Sequence, residues 1–375
     1  MLFKNIVSIL VFISGASANS LLHDGLAPIQ ALNLPGFVEL DAYQFKTQQY
    51  GYQGKVGSDY VNDSSEPKNL NHLGFFAVSN PVNRWRFAFS IAPDLRDEAY
   101  MNWSEPHITA STDTGYVEYQ MITPQLSYEF APSFFGSFGV NIVKAKAGRT
   151  LSSASAVPYS LSMEGDGTAY SYTAALVYRP YSWLLLTLAG TTEAVVEFHG
   201  TAEAKIEGTP KPSNVRIKMS VPGEYLASAL LFLDETSHIH LSYKKWLYST
   251  YKISDLQFDD ATLEAYFGTP STREWSDCDI YTIGAGKRFN NHALSIFGGW
   301  NNGGINLSTA DFSSPPSSYR FGGGEYTYDF TKDWSIGGRY IYVRYLKERV
   351  NTPSLQGDFL QTSATFSSIY IQKRF

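Results

Sequence analysis

Apolar and polar residues alternate with a period of two along most of this chain, the pattern of strands that press one face against hydrocarbon. Trp85, Phe87, Phe89 and Ile91 alternate with Arg84, Arg86, Ala88 and Ser90. Ile239, Leu241 and Tyr243 alternate with His238, His240, Ser242 and Lys244. Leu184, Leu186 and Leu188, then Ala194, Val196 and Phe198, read as one face of a longer run. Fourteen segments follow: 36–47, 70–79, 84–93, 118–130, 134–146, 170–179, 183–200, 214–233, 236–248, 278–289, 292–302, 318–330, 333–346 and 360–375.

The connections sharpen the reading. Asn80–Asn83, Ala131–Ser133, Pro180–Ser182, Asp234–Glu235, Asn290–Asn291 and Thr331–Lys332 are short turns. They interleave with long connections at 48–69, 94–117, 147–169, 201–213, 249–277, 303–317 and 347–359. Short periplasmic turns alternating with long extracellular loops mark an antiparallel transmembrane β-barrel of the bacterial outer membrane, with outer-membrane lipid and lipopolysaccharide around it. Aromatic residues near strand ends, Trp85, Tyr128, Tyr178, Trp183, Tyr243, Trp246, Trp300, Tyr326, Tyr328 and Trp334, are placed in interface girdles. Phe375, with Ile371 and Ile369 on its face and Lys373 interrupting it, resembles the terminal signal read by the barrel-assembly machinery.

Residues 1–18 read as a signal peptide. Lys4 precedes the apolar run Ile6–Ser14, and Ala16-Ser17-Ala18 gives a small-residue cleavage pattern, so the mature chain is expected to begin at Asn19. Segment 19–35 then precedes a barrel over 36–375. Charged residues make up 17% of the chain, below the ~25% of soluble domains, which excludes an open disordered chain. The net charge of −6, or −7 once Lys4 is removed, argues against a nucleic-acid partner. Cys278 is the single cysteine, so neither an intrachain disulfide nor a multi-cysteine metal site is expected. His238 and His240 share a strand face without a third ligand nearby, which favours a girdle or lumen role over a metal. No nucleophile elbow or phosphate loop occurs, and no enzymatic activity or cofactor is expected, although a barrel-embedded hydrolase could assemble Ser, His and acid from different strands.

Some strands are apolar on both faces: Tyr225–Leu233 reads YLASALLFL. A wet porin lumen is more polar than this. Such an interior suits a hydrophobic solute with a polar head, or simply side chains filling the lumen.

The sequence resembles the FadL/TodX-type outer-membrane transporters of long-chain fatty acids and other hydrophobic compounds. The likeness rests on Ile122–Tyr128 with Gly136–Asn141, on Gly165-Asp166-Gly167 leading into Tyr172–Tyr178, and on Val221–Glu224. Tyr243, Trp246, Trp275, Asp277, Ile283 and Gly284, and then Arg320–Tyr328, continue it. The family's N-terminal hatch has its nearest echo in Leu32–Gly36, and 19–35 is too short for a full plug. The resemblance implies a fourteen-stranded barrel, expected to be a monomer, for passive uptake of fatty acids or other hydrophobic small molecules. It places capture at Val157, Tyr159, Leu161 and Met163 opposite Val215, Ile217 and Met219. Lys211, Arg216 and Lys218 could meet a ligand carboxylate there. An aqueous diffusion porin without hatch gating, and a surface adhesin or phage receptor, are the alternatives.

Overall fold

The computed structural model describes residues 36–47, 51–67, 69–93, 99–101, 113–153, 159–250, 253–268, 271–272, 275–304, 306–308, 310, 318–352 and 355–375. The expected signal peptide, segment 19–35 and Val157 lie outside the described residues.

Fourteen antiparallel strands close into one barrel. They are β1 (Phe37–Thr47), β2 (Asn69–Val78), β3 (Trp85–Pro93), β4 (Asp113–Ala131), β5 (Phe134–Ser153), β6 (Tyr159–Tyr181) and β7 (Leu184–Thr191). The second half comprises β8 (Glu224–Phe232), β9 (Ser237–Trp246), β10 (Cys278–Phe289), β11 (His292–Asn301), β12 (Tyr319–Asp329), β13 (Trp334–Tyr345) and β14 (Thr362–Arg374). Each strand pairs with its neighbours, and β1 joins β14 from Phe37↔Arg374 to Thr47↔Ala364. Closure leaves no unpaired edge in the wall.

Period-two alternation decides what each face meets. Outward residues are apolar and open, with Leu73 at 77% exposure and Ile369 at 67%. Inward residues are buried. Aromatic pairs ring the edge formed by the short turns: Trp85 and Tyr128 have ring centroids 4.4 Å apart, and Tyr181 stacks on Trp183 at 5.3 Å. At the loop edge Tyr281 stacks on Trp300 at 5.0 Å. Lys373 keeps its ammonium over Trp334 and Phe375, at 5.4 and 5.6 Å from the ring centroids, so an outward lysine is accommodated among aromatics.

Two of the expected long segments break. The run 183–200 divides at Thr192-Glu193, and 214–233 divides at Pro222-Gly223. The first break reverses the phase. Leu186 and Leu188 face outward, whereas Ala194, Val196 and Phe198 are buried on the inner side. Pro222 has no N–H for a ladder, and a Cβ on Gly223 would lie 2.8 Å from the Thr191 carbonyl oxygen. The wall strands β7 and β8 therefore end there, and the intervening Ala194–Ile206 and Thr209–Val221 strands form a separate hairpin. Its tight turn places Glu207 and Gly208 at φ 49° and 80°, the left-handed region that suits a two-residue hairpin loop.

This hairpin stands on β6. With 23 residues, β6 is about twice the ~10 residues that cross a membrane, so its first half projects beyond the wall. That half pairs with the hairpin from Tyr159↔Ile206 to Asp166↔His199. A strand at Ile253–Phe258 extends the sheet, pairing Val215↔Phe258 and Ile217↔Leu256. A short helix, α1 (Ala261–Phe267), follows with Asp260 as its N-cap. We call this assembly the canopy. A second small sheet from 51–64 and 348–359 has its own core of Tyr52, Val61, Val350, Leu355 and Phe359.

The outward assignment predicts that Leu188→Arg costs about 2–4 kcal/mol of stability near the bilayer midplane, while Leu188→Phe changes little. Urea unfolding in phospholipid vesicles reads both. Equal stability of the arginine variant and the parent would contradict the assignment.

Candidate functional site

Inward side chains divide the lumen by chemistry. Towards the loop side they are largely apolar. Phe366, Ile341, Val343, Phe321, Ile280 and Trp246 belong to one buried cluster, with Phe45, Phe297 and Tyr345 packed against it. Gly323 makes room for Phe297: a Cβ there would lie 3.0 Å from the ring's Cζ and 2.4 Å from the Tyr340 carbonyl oxygen. Of the glycine run at 322–324, Gly323 thus serves lumen packing.

Nearer the short turns the lumen holds a buried ionic knot. The Arg339 guanidinium lies 2.6 Å from Asp41 Oδ2 and 3.3 Å from both Glu39 Oε1 and Glu325 Oε2. It also stacks 4.3 Å from the Tyr370 ring centroid. Gln372 Nε2 donates to Glu39 at 3.0 Å, and the Tyr370 hydroxyl donates to Glu325 at 2.7 Å. One guanidinium, from β13, therefore holds together three carboxylates from two other strands, β1 and β12. A second set lies at the turn edge, where Asp329 accepts from Arg288 at 2.5 Å and Arg374 at 2.8 Å.

A third feature stands at the junction of wall and canopy. Glu224, fully buried, accepts from Trp246 Nε1 at 3.1 Å and lies 3.8 Å from Lys244 Nζ. Trp246 is thereby corrected from a girdle residue to a lumen residue: it shares the inward phase of His238, His240 and Lys244, opposite Tyr243. His238 and His240 point inward beside Phe232 and Leu230 of β8.

Above the wall the inward face stays apolar. Tyr119, Val143, Ala145, Ala169, Val196 and Phe198 form a rim cluster. Leu161, Ala204, Ile206, Val215, Leu256, Phe258 and Leu263 form the canopy cluster. Ile217 packs against both, so the two are contiguous.

Of the expected capture residues, Tyr159, Leu161, Met163, Val215 and Ile217 are gathered in the canopy cluster, while Met219 joins the rim. The basic residues are divided. Lys211 shares the inward phase of Val215, whereas Arg216 and Lys218 lie on the reverse face. Arg216 sits 3.3 Å from Asp259, and Lys218 3.6 Å from Glu197. Asn214 and Arg216 hold the Asp259 carboxyl below the usual range through hydrogen bonds. N–H groups of Leu263 and Thr262, with the charge of Lys211, do the same for Asp260. These cations thus already serve carboxylates of the canopy. Family motifs do not single out Glu39, Asp41, Glu325 and Arg339, although charges on the inward phase of otherwise apolar strands are a legible signal.

A cavity of about 1210 Å³ opens on the outer wall, not in the lumen. Its floor includes Ala227 and Ala229, framed by Leu176, Leu188, Leu241 and Trp300. These are outward residues, so the hollow belongs to the lipid-facing surface.

No family matches the chain by sequence, and no curated relative does. Solved structures do match in fold. A Pseudomonas aeruginosa FadL homologue superposes with a TM-score of 0.81 at 12% identity, covering 93% of this chain and 94% of the other. The Pseudomonas putida toluene transporter TodX gives 0.67 at 13% identity, with coverages of 91% and 90%. The Ralstonia pickettii toluene transporter TbuX gives 0.65 at 12% identity, with coverages of 93% and 92%.

Arg339→Met would leave the Glu39, Asp41 and Glu325 carboxylates without their common cation. A loss of about 3–5 kcal/mol is expected in urea unfolding. An unchanged unfolding midpoint would show that the knot does not hold the wall together. Set beside these structures, the closed wall of fourteen strands shows that this chain has the fold of the FadL/TodX-type outer-membrane transport proteins.

Proposed function

We propose that this protein sits in the bacterial outer membrane and passively admits hydrophobic small molecules, long-chain fatty acids among them. The observation that carries the reading is the apolar inner face of the canopy, contiguous through Ile217 with the rim above the lumen. An exposed apolar surface would strand solute at the membrane's outside, whereas a sheltered one gives it a path away from water. Tyr159, Leu161, Met163, Val215, Ile217 and Met219 act as the capture surface, with Val157 beside them in sequence. Lys211 lies on that face, as does Arg149 opposite Met163, whereas Arg216 and Lys218 brace the canopy from behind. The fold neighbours described as toluene transporters, and the CymD monoaromatic hydrocarbon channel, support a hydrophobic solute class. Uptake needs no chemical step, so the protein acts as a conduit and not as an enzyme.

Ile217→Asp places a charge where the rim and canopy clusters meet. It is expected to lower uptake of hydrophobic solute at limiting concentration about tenfold or more, since burying an unpaired carboxylate opposes the apolar path by several kcal/mol. Growth of a deletion strain complemented with parent or variant, on oleate as sole carbon source, gives the comparison. Ser160→Asp, on the exposed reverse face of β6, serves as the control for one added negative charge. Uptake equal in the deletion strain and the complemented strain would overturn the transport reading.

A further inference from the structure

The inward face of β4 and β5 carries three polar side chains whose hydrogen-bonding capacity is unused. Gln125 leaves both its amide nitrogen and its amide oxygen without a partner, as do the Ser127 and Ser137 hydroxyls. Gln125 and Ser127 are only 5% and 2% exposed, so bulk water does not reach them. Each unpaired buried group costs about 1–3 kcal/mol, which a fold does not carry threefold in one place without use.

Register brings the three together. Ser127 is directly opposite Ser137, and Gln125 is opposite Gly139 on the same face. Gln125 lies across that glycine: a Cβ on Gly139 would be 2.6 Å from Gln125 Cγ and 2.9 Å from Thr173 Cγ2. The adjoining polar residues differ in being satisfied. Thr123 donates to Asn141 at 2.9 Å, and Asn141 donates to Ser171 at 3.0 Å. Flanking positions are small and apolar, Ala88 beside Gln125 and Ala175 beside Ser137.

We propose that Gln125, Ser127 and Ser137 form a lumenal subsite for a neutral oxygen-bearing head group, a hydroxyl or carbonyl, on an otherwise hydrophobic solute. The assignment rests on the transport reading and narrows its solute class. An amide and two hydroxyls both donate and accept, which matches an alcohol or phenol. A bare hydrocarbon would leave all three unpaired. A carboxylate would need a cation, and the nearest by register, Arg86 opposite Ser127, already faces the charge of Glu129. Sites built to hydrogen-bond a hydroxyl discriminate strongly against the analogue that lacks it.

The test uses p-cresol, toluene and 4-methylbenzoate, which share a ring and differ in one group, titrated calorimetrically into the full chain in lipid nanodiscs. The parent protein is expected to bind p-cresol at least tenfold tighter than toluene and more tightly than 4-methylbenzoate. Gln125→Leu combined with Ser127→Ala should bring p-cresol and toluene level while toluene affinity holds. Ser127→Ala with Ser137→Ala, which keeps the glutamine, should retain part of the preference and guards against a variant that fails to fold. Equal affinity of the parent for p-cresol and toluene overturns the subsite and leaves transport standing, as does a preference that survives loss of Gln125. Tighter binding of 4-methylbenzoate overturns the neutral class. Binding of none of the three while oleate binds overturns the subsite; binding of neither these nor oleate removes the transport reading itself.

Discussion

Closure of the sheet is the constraint from which the other features descend. In hydrocarbon a backbone N–H or C=O cannot fall back on water, so the wall must pair every one of them with a neighbouring strand. The seam between β1 and β14, eleven residues deep, completes that pairing. Once the wall is closed, alternation leaves no freedom: one residue in two meets lipid and the next meets the lumen. The same rule carries on beyond the wall. β6 keeps its odd residues inward from Ser171 and Ala169 up to Leu161, so the canopy inherits the inner face of the barrel.

The lumen joins two kinds of cohesion. Its loop-side half is held by aromatic and aliphatic packing, with Tyr43 and Phe366 rings 5.6 Å apart. Its turn-side half is held by Arg339, whose carboxylates come from β1 and β12, strands that lie far apart in the chain. A buried cation shared by several anions fixes the strands geometrically more than it adds net stability, because each ion loses its hydration. The Glu224–Trp246 hydrogen bond does similar work where β8 and β9 leave the wall. Polar groups with partners therefore set the shape, and apolar groups line the way through it.

Much of this was legible in the sequence because two local signals suffice for a barrel. Trp85, Phe87, Phe89 and Ile91 announce their phase without help from the rest of the chain, and Asn290-Asn291 announces its turn. The breaks at Thr192-Glu193 and Pro222-Gly223 escape a local pattern, since the residues on either side remain equally apolar while their faces exchange. Residue type places Trp246 in the girdle, although its phase matches that of His238 and His240 and points inward. Partners such as Asp41 and Arg339, 298 positions apart, are brought together only by closure, which no local window sees. The division of Lys211 from Arg216 and Lys218 follows from simple alternation, yet the carboxylates that occupy the latter two, Asp259 and Glu197, come from neighbouring strands and connections.

An interior of this character differs physically from a water-filled pore: ions crossing it would have to shed their hydration against aromatic and aliphatic side chains. Single-channel recording of the full chain in a planar bilayer is the most direct measure of that difference. The apolar path predicts brief or negligible ionic current at moderate voltage. A large, steady, ohmic conductance would mean a continuous water column and would contradict the account.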